Sequence, residues 1–143
     1  MILPRILETK AREVAETCAP QASLEEALRR PGLTVIGEIK HGSPSRGHFA
    51  SQADPATQLR RYEAGGAGGV SVVTDRTFFH GAPETLRALR PLTSLPLLRK
   101  DFLVHPLQVY ESRLLGADAV LLLACALDPR TLTELLDLAR SLG

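Results

Sequence analysis

The spacing of apolar residues has a helical period in the first part of the chain. Residues 6–16 carry apolar side chains three and four positions apart with charges between them, which predicts an amphipathic helix. Ser23 and Glu26 have the spacing of a capping box, which predicts a second, short helix ending near Arg30 at a Pro-Gly pair. We therefore predict that residues 1–32 form a helical extension.

From residue 33 onward, short apolar runs of strand length alternate with helical segments. The predicted strands are residues 33–39, 69–73, 96–100 and 118–124. Each predicted helix begins at a proline, a residue favoured in the first helical turn: Pro55, Pro83, Pro106 and Pro129. Strands that alternate with helices form a parallel sheet, because a parallel pair needs a crossover connection. The pattern predicts one α/β domain in which residues 33–143 make four βα units.

Composition agrees with a folded protein and excludes several functional classes. Of 143 residues, 44% are hydrophobic and 23% are charged. The 17 basic and 16 acidic side chains nearly balance, so no electrostatic surface for nucleic acid is expected. The longest apolar run, residues 119–127, is too short for a membrane span, and the chain begins without a signal-peptide pattern. We expect a cytoplasmic protein without nucleic-acid or membrane partners.

The cysteines and histidines give no sign of a metal site. Cys18 and Cys125 lie far apart and outside any Cys-x-x-Cys pair, so we interpret both as buried or half-buried thiols. The four histidines lack the spacing of metal ligands.

Charged residues lie at the predicted carboxyl ends of two strands, where parallel α/β folds place their functional groups. Glu38 and Lys40 are two apart and therefore share a face of the first strand. Lys100 ends the third strand. Two lysines converging on one edge indicate a site for an anionic substrate, or an ammonium that acts as a general acid. The alternative is that each lysine is a separate surface residue.

A small polar loop, residues 40–47, follows the first strand. Its glycines and hydroxyls could hold an anion through backbone N–H groups, or it could be a solvated turn.

Aromatic residues lie near the same edge. Phe102 shares the face of Lys100, whereas Arg99 and Asp101 take the opposite face. Phe79 lies in the loop after the second strand, where it could pack beneath the loop or form a wall for an aromatic substrate.

Five segments, in order along the chain, carry a recognisable pattern. They are Ile6-Leu7 in the leading helix, Glu38-Ile39-Lys40 with Ser43-Pro44-Ser45-x-Gly47, Ser71-Val72-Val73-Thr74-Asp75, Leu97 through Phe102, and Gly116 through Leu123. Together they resemble the indole-3-glycerol phosphate synthase family and cover essentially the whole chain. The resemblance implies a (β/α)₈ TIM barrel, of which this chain carries the first half.

The resemblance also implies an activity. The family closes the indole ring of 1-(2-carboxyphenylamino)-1-deoxyribulose 5-phosphate with loss of CO₂ and water, in tryptophan biosynthesis, without cofactor or metal. For the matching residues, the resemblance implies that Lys100 is the general acid. It implies that Lys40 contacts the substrate's anionic groups and assists dehydration, and that Glu38 positions Lys40 or shares proton transfer. The substrate-binding residues implied in the same way are Ser43, Pro44, Ser45, Ser71, Phe79, Phe102, Leu121 and Leu123.

The length of the chain qualifies this expectation. A full barrel takes about 250 residues, and the family's strands five to eight carry further catalytic groups and most of the phosphate site. Four strands leave two unpaired edges. We therefore expect association with a C-terminal half-barrel or with a second copy, and no turnover by the 143-residue chain alone. Two alternatives stay open: a non-catalytic half-barrel that self-associates or binds an anionic ligand, and another phosphate-binding barrel such as the isomerase of the preceding step.

Overall fold

The computed structural model describes residues 5–6, 9–10, 12–13, 18, 20–49 and 54–143. The backbone is helical at residues 5–6, 9–10 and 12–13, and the rest of the predicted first helix lies outside the described residues. Helix α1 is Leu24–Leu28, two residues shorter than predicted. The Ser23 hydroxyl accepts a hydrogen bond from the Glu26 backbone N–H at 3.1 Å, so the serine half of the predicted capping box is present.

The predicted parallel sheet is confirmed. Its strands, in spatial order, are β1 (Ile36–Ile39), β4 (Gly69–Val73), β5 (Leu97–Lys100) and β6 (Ala119–Val120), and all neighbours are parallel. Two further short strands, β2 (Gly42–Ser43) and β3 (Gly47–His48), form a separate antiparallel hairpin. The helices are α2 (Pro55–Ala64), α3 (Pro83–Leu89), α4 (Pro106–Leu114) and α5 (Pro129–Ser141), with 3₁₀ turns at Arg90–Leu92 and Ala124–Ala126. The order of βα units is therefore the predicted one, as in a partial TIM barrel.

The starts of α2 and α5 follow directly from local sequence. Asp54 accepts from the Thr57 N–H at 3.1 Å, and Asp128 accepts from the Thr131 N–H at 3.1 Å. Each aspartate satisfies a backbone donor that a helix otherwise leaves free at its amino end.

One face of the sheet packs against the helices. Its core comprises Ile39, Leu59, Val70, Val72, Leu86, Leu89, Leu97, Leu115 and Ala117. On β1 and β5 the burial alternates, with Ile39 and Leu97 buried and Glu38 and Leu98 half-buried. The second face of these strands is therefore partly open, and it is the face that carries Glu38.

Two predicted strands are too long. The first begins at Ile36 rather than residue 33, and Leu33 is 95% exposed. The fourth ends at Val120 rather than residue 124, because its ladder with β5 stops soon afterwards, at the bond from the Leu121 N–H to the Arg99 carbonyl. Both errors fall on edge strands, whose ends have a neighbour on one side only in the described chain.

The prediction for the cysteines is half correct. Cys18 is half-buried as expected, whereas Cys125 is exposed. The early end of β6 places Cys125 in the 3₁₀ turn Ala124–Ala126, outside the sheet. None of the described helices is both long and apolar enough to cross a membrane.

Candidate functional site

An ion pair at the carboxyl edge of the sheet joins residues from two strands. The Lys100 ammonium donates to Glu38 Oε2 at 2.8 Å, and the Ser71 hydroxyl donates to the same oxygen at 3.3 Å. The strand register explains this meeting, since Glu38 lies opposite Ser71, and Ser71 lies opposite Leu98, two positions before Lys100. Three predicted site residues, distant in sequence, thus converge on one oxygen.

Both members of this ion pair remain accessible. The Lys100 side chain is 44% exposed and that of Glu38 is 32% exposed. At such exposure an ion pair contributes only about 0–1 kcal/mol to stability, because water screens it. The pair therefore serves mainly to orient an ammonium that a ligand can still reach.

Lys40 lies against an aromatic ring. The resemblance implies that Glu38 positions Lys40 or shares proton transfer. In the structure Glu38 bonds to Lys100, and the Lys40 Nζ lies 5.3 Å from the centre of the Phe79 ring. An ammonium at this distance is attracted to the ring face. The Phe79 and Phe102 rings are 6.3 Å apart and tilted by 34°. Lys40 thus lies beside an aromatic pair, an arrangement suited to an anionic molecule with a flat apolar part.

The loop that carries Phe79 is held by Asp75, a residue absent from the predicted site. Asp75 Oδ1 accepts from the Phe79 N–H at 3.0 Å and from the preceding N–H, of Phe78, at 2.7 Å. The Gly81 N–H donates to the Asp75 carbonyl at 2.7 Å, and a Cβ at Gly81 would lie 2.3 Å from the Val73 carbonyl oxygen. The sequence signal for this turn is an aspartate shortly after the end of a strand, with a glycine later in the same loop.

The predicted polar loop after β1 is a hairpin. Ser43 is buried, while Pro44 and Ser45 are exposed at its turn, and the Ser43 and Ser45 hydroxyl oxygens lie 3.4 Å apart. A Cβ at Gly42 would lie 2.5 Å from His80 Cδ2, so this glycine lets the hairpin approach the Phe79 loop.

His41, beside Lys40, lies at the base of the same hairpin. Burial, and next the neighbouring His48, lower the pKa of His41 below its usual 6.5. At neutral pH the imidazole is therefore uncharged and adds no positive charge beside Lys40.

Leu121 and Leu123 follow β6 at the same edge and are half-buried. Among the described residues, no group of three His, Cys, Asp or Glu side chains is arranged to hold a metal ion.

The back of the site is a polar network that sequence reasoning did not foresee. Arg99, buried on the helix side of β5, donates to Thr74 Oγ1 at 3.0 Å, to Asp101 Oδ2 at 3.2 Å and to Glu111 Oε2 at 2.7 Å. The Thr74 hydroxyl also donates to Asp101 Oδ2, at 2.5 Å. The placement of Arg99 and Asp101 opposite Lys100 agrees with the predicted alternation. This network ties the ends of β4 and β5 to α4.

In chemical terms, the edge presents an oriented, accessible ammonium, a second ammonium against an aromatic ring, and hydroxyls nearby. Such a set can bind an anionic aromatic molecule and donate a proton to it.

Comparison with known proteins identifies the family. Residues 4–143 match the family model described as indole-3-glycerol phosphate synthase. The chain is similar to proteins named indole-3-glycerol phosphate synthase from Petrotoga mobilis (41% identical over 143 residues, 100% of this chain and 56% of that protein) and Mycolicibacterium gilvum (46% over 138 residues, 96% and 50%). A third, from Mycobacterium avium, is 44% identical over 135 residues, 94% of this chain and 50% of that protein. The chain spans about half the length of the curated relatives it matches. The fold, the motifs and these matches agree, and the chain belongs to the indole-3-glycerol phosphate synthase family.

Proposed function

We propose that this chain supplies the general acid and one wall of the active site of an indole-3-glycerol phosphate synthase, a carbon–carbon lyase. The observation that carries the proposal is the 2.8 Å contact between the Lys100 ammonium and Glu38 at the open edge of the sheet. The hydrogen bond to this carboxylate fixes the direction of the ammonium, as a general acid requires.

In the proposed reaction, the ring carbon that bears the substrate's carboxylate attacks the ketone carbon of the ribulose chain. Lys100 protonates the ketone oxygen as the new carbon–carbon bond forms. The carboxylate leaves as CO₂, and its bonding electrons return to the ring. The new hydroxyl then leaves as water with a proton supplied at Lys40, and loss of the adjacent C–H proton completes the indole.

The remaining site residues have binding roles in this proposal. Phe79 and Phe102 form the aromatic wall, with Leu121 and Leu123 extending it. The hydroxyls of Ser43 and Ser45, with Pro44 between them, lie beside the benzoate carboxylate. Ser71 holds Glu38 through the 3.3 Å hydrogen bond and so positions Lys100 indirectly.

The site requires a complete barrel. We propose that the chain forms one domain, with residues 1–32 as extension and residues 33–143 as four βα units, and that four further βα units complete the barrel. The half-buried inner face of β1 and β5, and the edges of β1 and β6, are the surfaces these units would cover. A C-terminal half-barrel fits this role better than a second copy, because the relatives are about twice as long as the part that matches.

The test is reconstitution. The chain is mixed with the unmatched C-terminal part of the Petrotoga mobilis relative, and indole-3-glycerol phosphate formation is followed by fluorescence. We expect turnover by the mixture and none by either part. Lys100→Ala should reduce the reconstituted rate about 10²–10⁴-fold, the usual contribution of a general acid.

Lys10→Ala is the matched control, because the Lys10 side chain is 68% exposed and pairs only with nearby Glu13 among the described residues. A Lys100→Ala mixture that forms product as fast as the Lys10→Ala mixture would contradict the general-acid assignment.

A further inference from the structure

A second cluster of basic side chains lies at the opposite edge of the sheet. A cavity of about 480 Å³ lies between the end of α3 and α4, and its lining includes Arg87, Arg90, Arg113 and Asp118. Asp118 directly precedes β6, so this arginine cavity is at the amino-terminal edge of the strands, whereas Lys100 ends β5. It is therefore separate from the proposed active site.

Asp118 is the one carboxylate among these four residues, and both of its oxygens already accept hydrogen bonds. Asp118 Oδ2 accepts from Arg90 Nη1 at 2.5 Å and from the Leu97 N–H at 3.0 Å. Its Oδ1 accepts from the N–H groups of Gln21 at 2.9 Å and Ala22 at 3.1 Å. Asp118 neutralises Arg90 and has little capacity left for a second guanidinium.

Arg113 is consequently a buried cation that forms no ion pair with any carboxylate of the described residues. It is 7% exposed, and among the described residues no ion pair includes it. Its Nη1 donates to the Ala117 carbonyl at 2.7 Å, but within the described part of the chain its Nε and the Nε of Arg90 have no hydrogen-bond partner. Burial lowers the pKa of the Arg113 guanidinium, and the attraction of Asp118 opposes this only in part.

A buried charge without a counter-charge is strongly unfavourable, as is a buried N–H without an acceptor. Arg87 adds a further, exposed positive charge to the same cavity. The three arginines and one aspartate leave an excess of two positive charges. A guanidinium is suited to planar or tetrahedral oxyanions, which accept its parallel N–H groups.

We propose that the arginine cavity binds a small oxyanion, of the phosphate or carboxylate class, with Arg113 as its main partner and Arg87 at its mouth. The anion supplies the counter-charge that Arg113 lacks among the described residues and accepts hydrogen bonds from the guanidinium. Because it binds the folded chain, it also stabilises that chain in proportion to its concentration.

The test uses inorganic phosphate and the full chain. Phosphate is titrated at constant ionic strength against chloride while the arginine Nε–H signals are followed by NMR. We expect the Arg113 Nε–H signal to shift and saturate with phosphate and not with chloride. In Arg87→Met the dissociation constant should rise about tenfold, corresponding to one lost charge contact of about 1.4 kcal/mol.

Three variants separate this site from others. Arg113→Met should abolish both the saturable binding and the phosphate-dependent rise in the unfolding temperature. Arg61→Met, which removes an exposed arginine of α2, should change neither. Lys100→Ala should leave the Arg113 response intact, which distinguishes the arginine cavity from phosphate bound at the proposed active site.

The proposal is overturned if chloride produces the same shift, or if Arg113→Met binds phosphate like the parent. It is also overturned if Arg113→Met lowers the unfolding temperature by the same amount in phosphate and in chloride, so that any phosphate-dependent rise is retained. The last result would mean that Arg113 acts solely through its bond to the Ala117 carbonyl.

Discussion

Arg99 and Asp101, the two sequence neighbours of Lys100, form an ion pair with an N–O distance of 3.2 Å on the opposite side of the strand from the Lys100 ammonium. Arg99 is 2% exposed, and the Asp101 side chain is 12% exposed. The strand end that carries the proposed general acid is therefore anchored from behind by a buried pair.

The first prediction concerns this anchor. Arg99→Met should lower the free energy of unfolding by about 3–5 kcal/mol, because it leaves Asp101 nearly buried without its counter-charge. Urea unfolding of the chain measures the effect. Arg76→Met is the control, since Arg76 pairs with Glu84 at an exposed site and should change stability by less than about 1 kcal/mol. Equal effects of the two substitutions would contradict the anchoring role.

Glu38 should matter for rate more than for stability. In the reconstituted enzyme, Glu38→Gln should reduce the rate about 10- to 100-fold, less than loss of the general acid itself. The amide can still accept a hydrogen bond from Lys100 but cannot form an ion pair with it. Glu38→Ala should be slower than Glu38→Gln, and unfolding of both variants should match the parent within about 1 kcal/mol. A rate unchanged in Glu38→Ala would exclude the orienting role.

Gly81→Ala tests the turn that presents Phe79. The new Cβ would meet the Val73 carbonyl oxygen at 2.3 Å, a backbone atom that cannot move aside without distorting β4. Overpacking of this kind costs about 1–3 kcal/mol, measurable by urea unfolding. Gly65→Ala is the control, because its nearest contact is 3.3 Å and its φ is −79°. A Gly81→Ala chain as stable as the control would show that the loop tolerates the clash.

Stability near pH 6 should depend on His41. Its pKa is lower in the folded chain than the 6.5 expected when unfolded, mainly because of burial. The unfolded state therefore binds the proton more readily, and the contribution of neutral His41 is present above pH 6.5 and lost as pH falls through its folded pKa. Unfolding temperatures measured between neutral and mildly acidic pH should fall less steeply in His41→Gln. A parallel slope in parent and variant would contradict this linkage.

The sequence predicted structure best in two cases: a strand whose two faces are both buried, and helix starts that depend only on neighbouring residues. The predicted strand 69–73 matches β4 residue for residue, because all five positions are buried between neighbouring strands and helices. The prolines that open α2 to α5 were also correctly placed, since their restricted φ suits the first helical turn. The lengths of the two edge strands were overestimated, since an apolar run alone does not show where hydrogen bonding to the neighbouring strand stops.

Contacts between strands were harder to predict. Alternation predicts that Glu38 and Lys40 share a face, but the choice of Lys100 as the partner of Glu38 depends on the register of β1, β4 and β5. Register arises from the packing of the whole sheet and has no signature within a single strand. The Arg99 network was not predicted for the same reason, since Thr74 follows β4, Asp101 follows β5 and Glu111 lies in α4.

The short β6 has a consequence for how a complete barrel would form. Its residues pair with β5 only at Ala119 and Val120, with one further bond from Leu121. The extended backbone that follows carries Leu123, which adopts φ −90° and ψ 102°. An incoming strand that bonds to this segment would bring its leucines into register with β5. Docking would then act as a template that completes β6 and the proposed aromatic and leucine wall in one cooperative step.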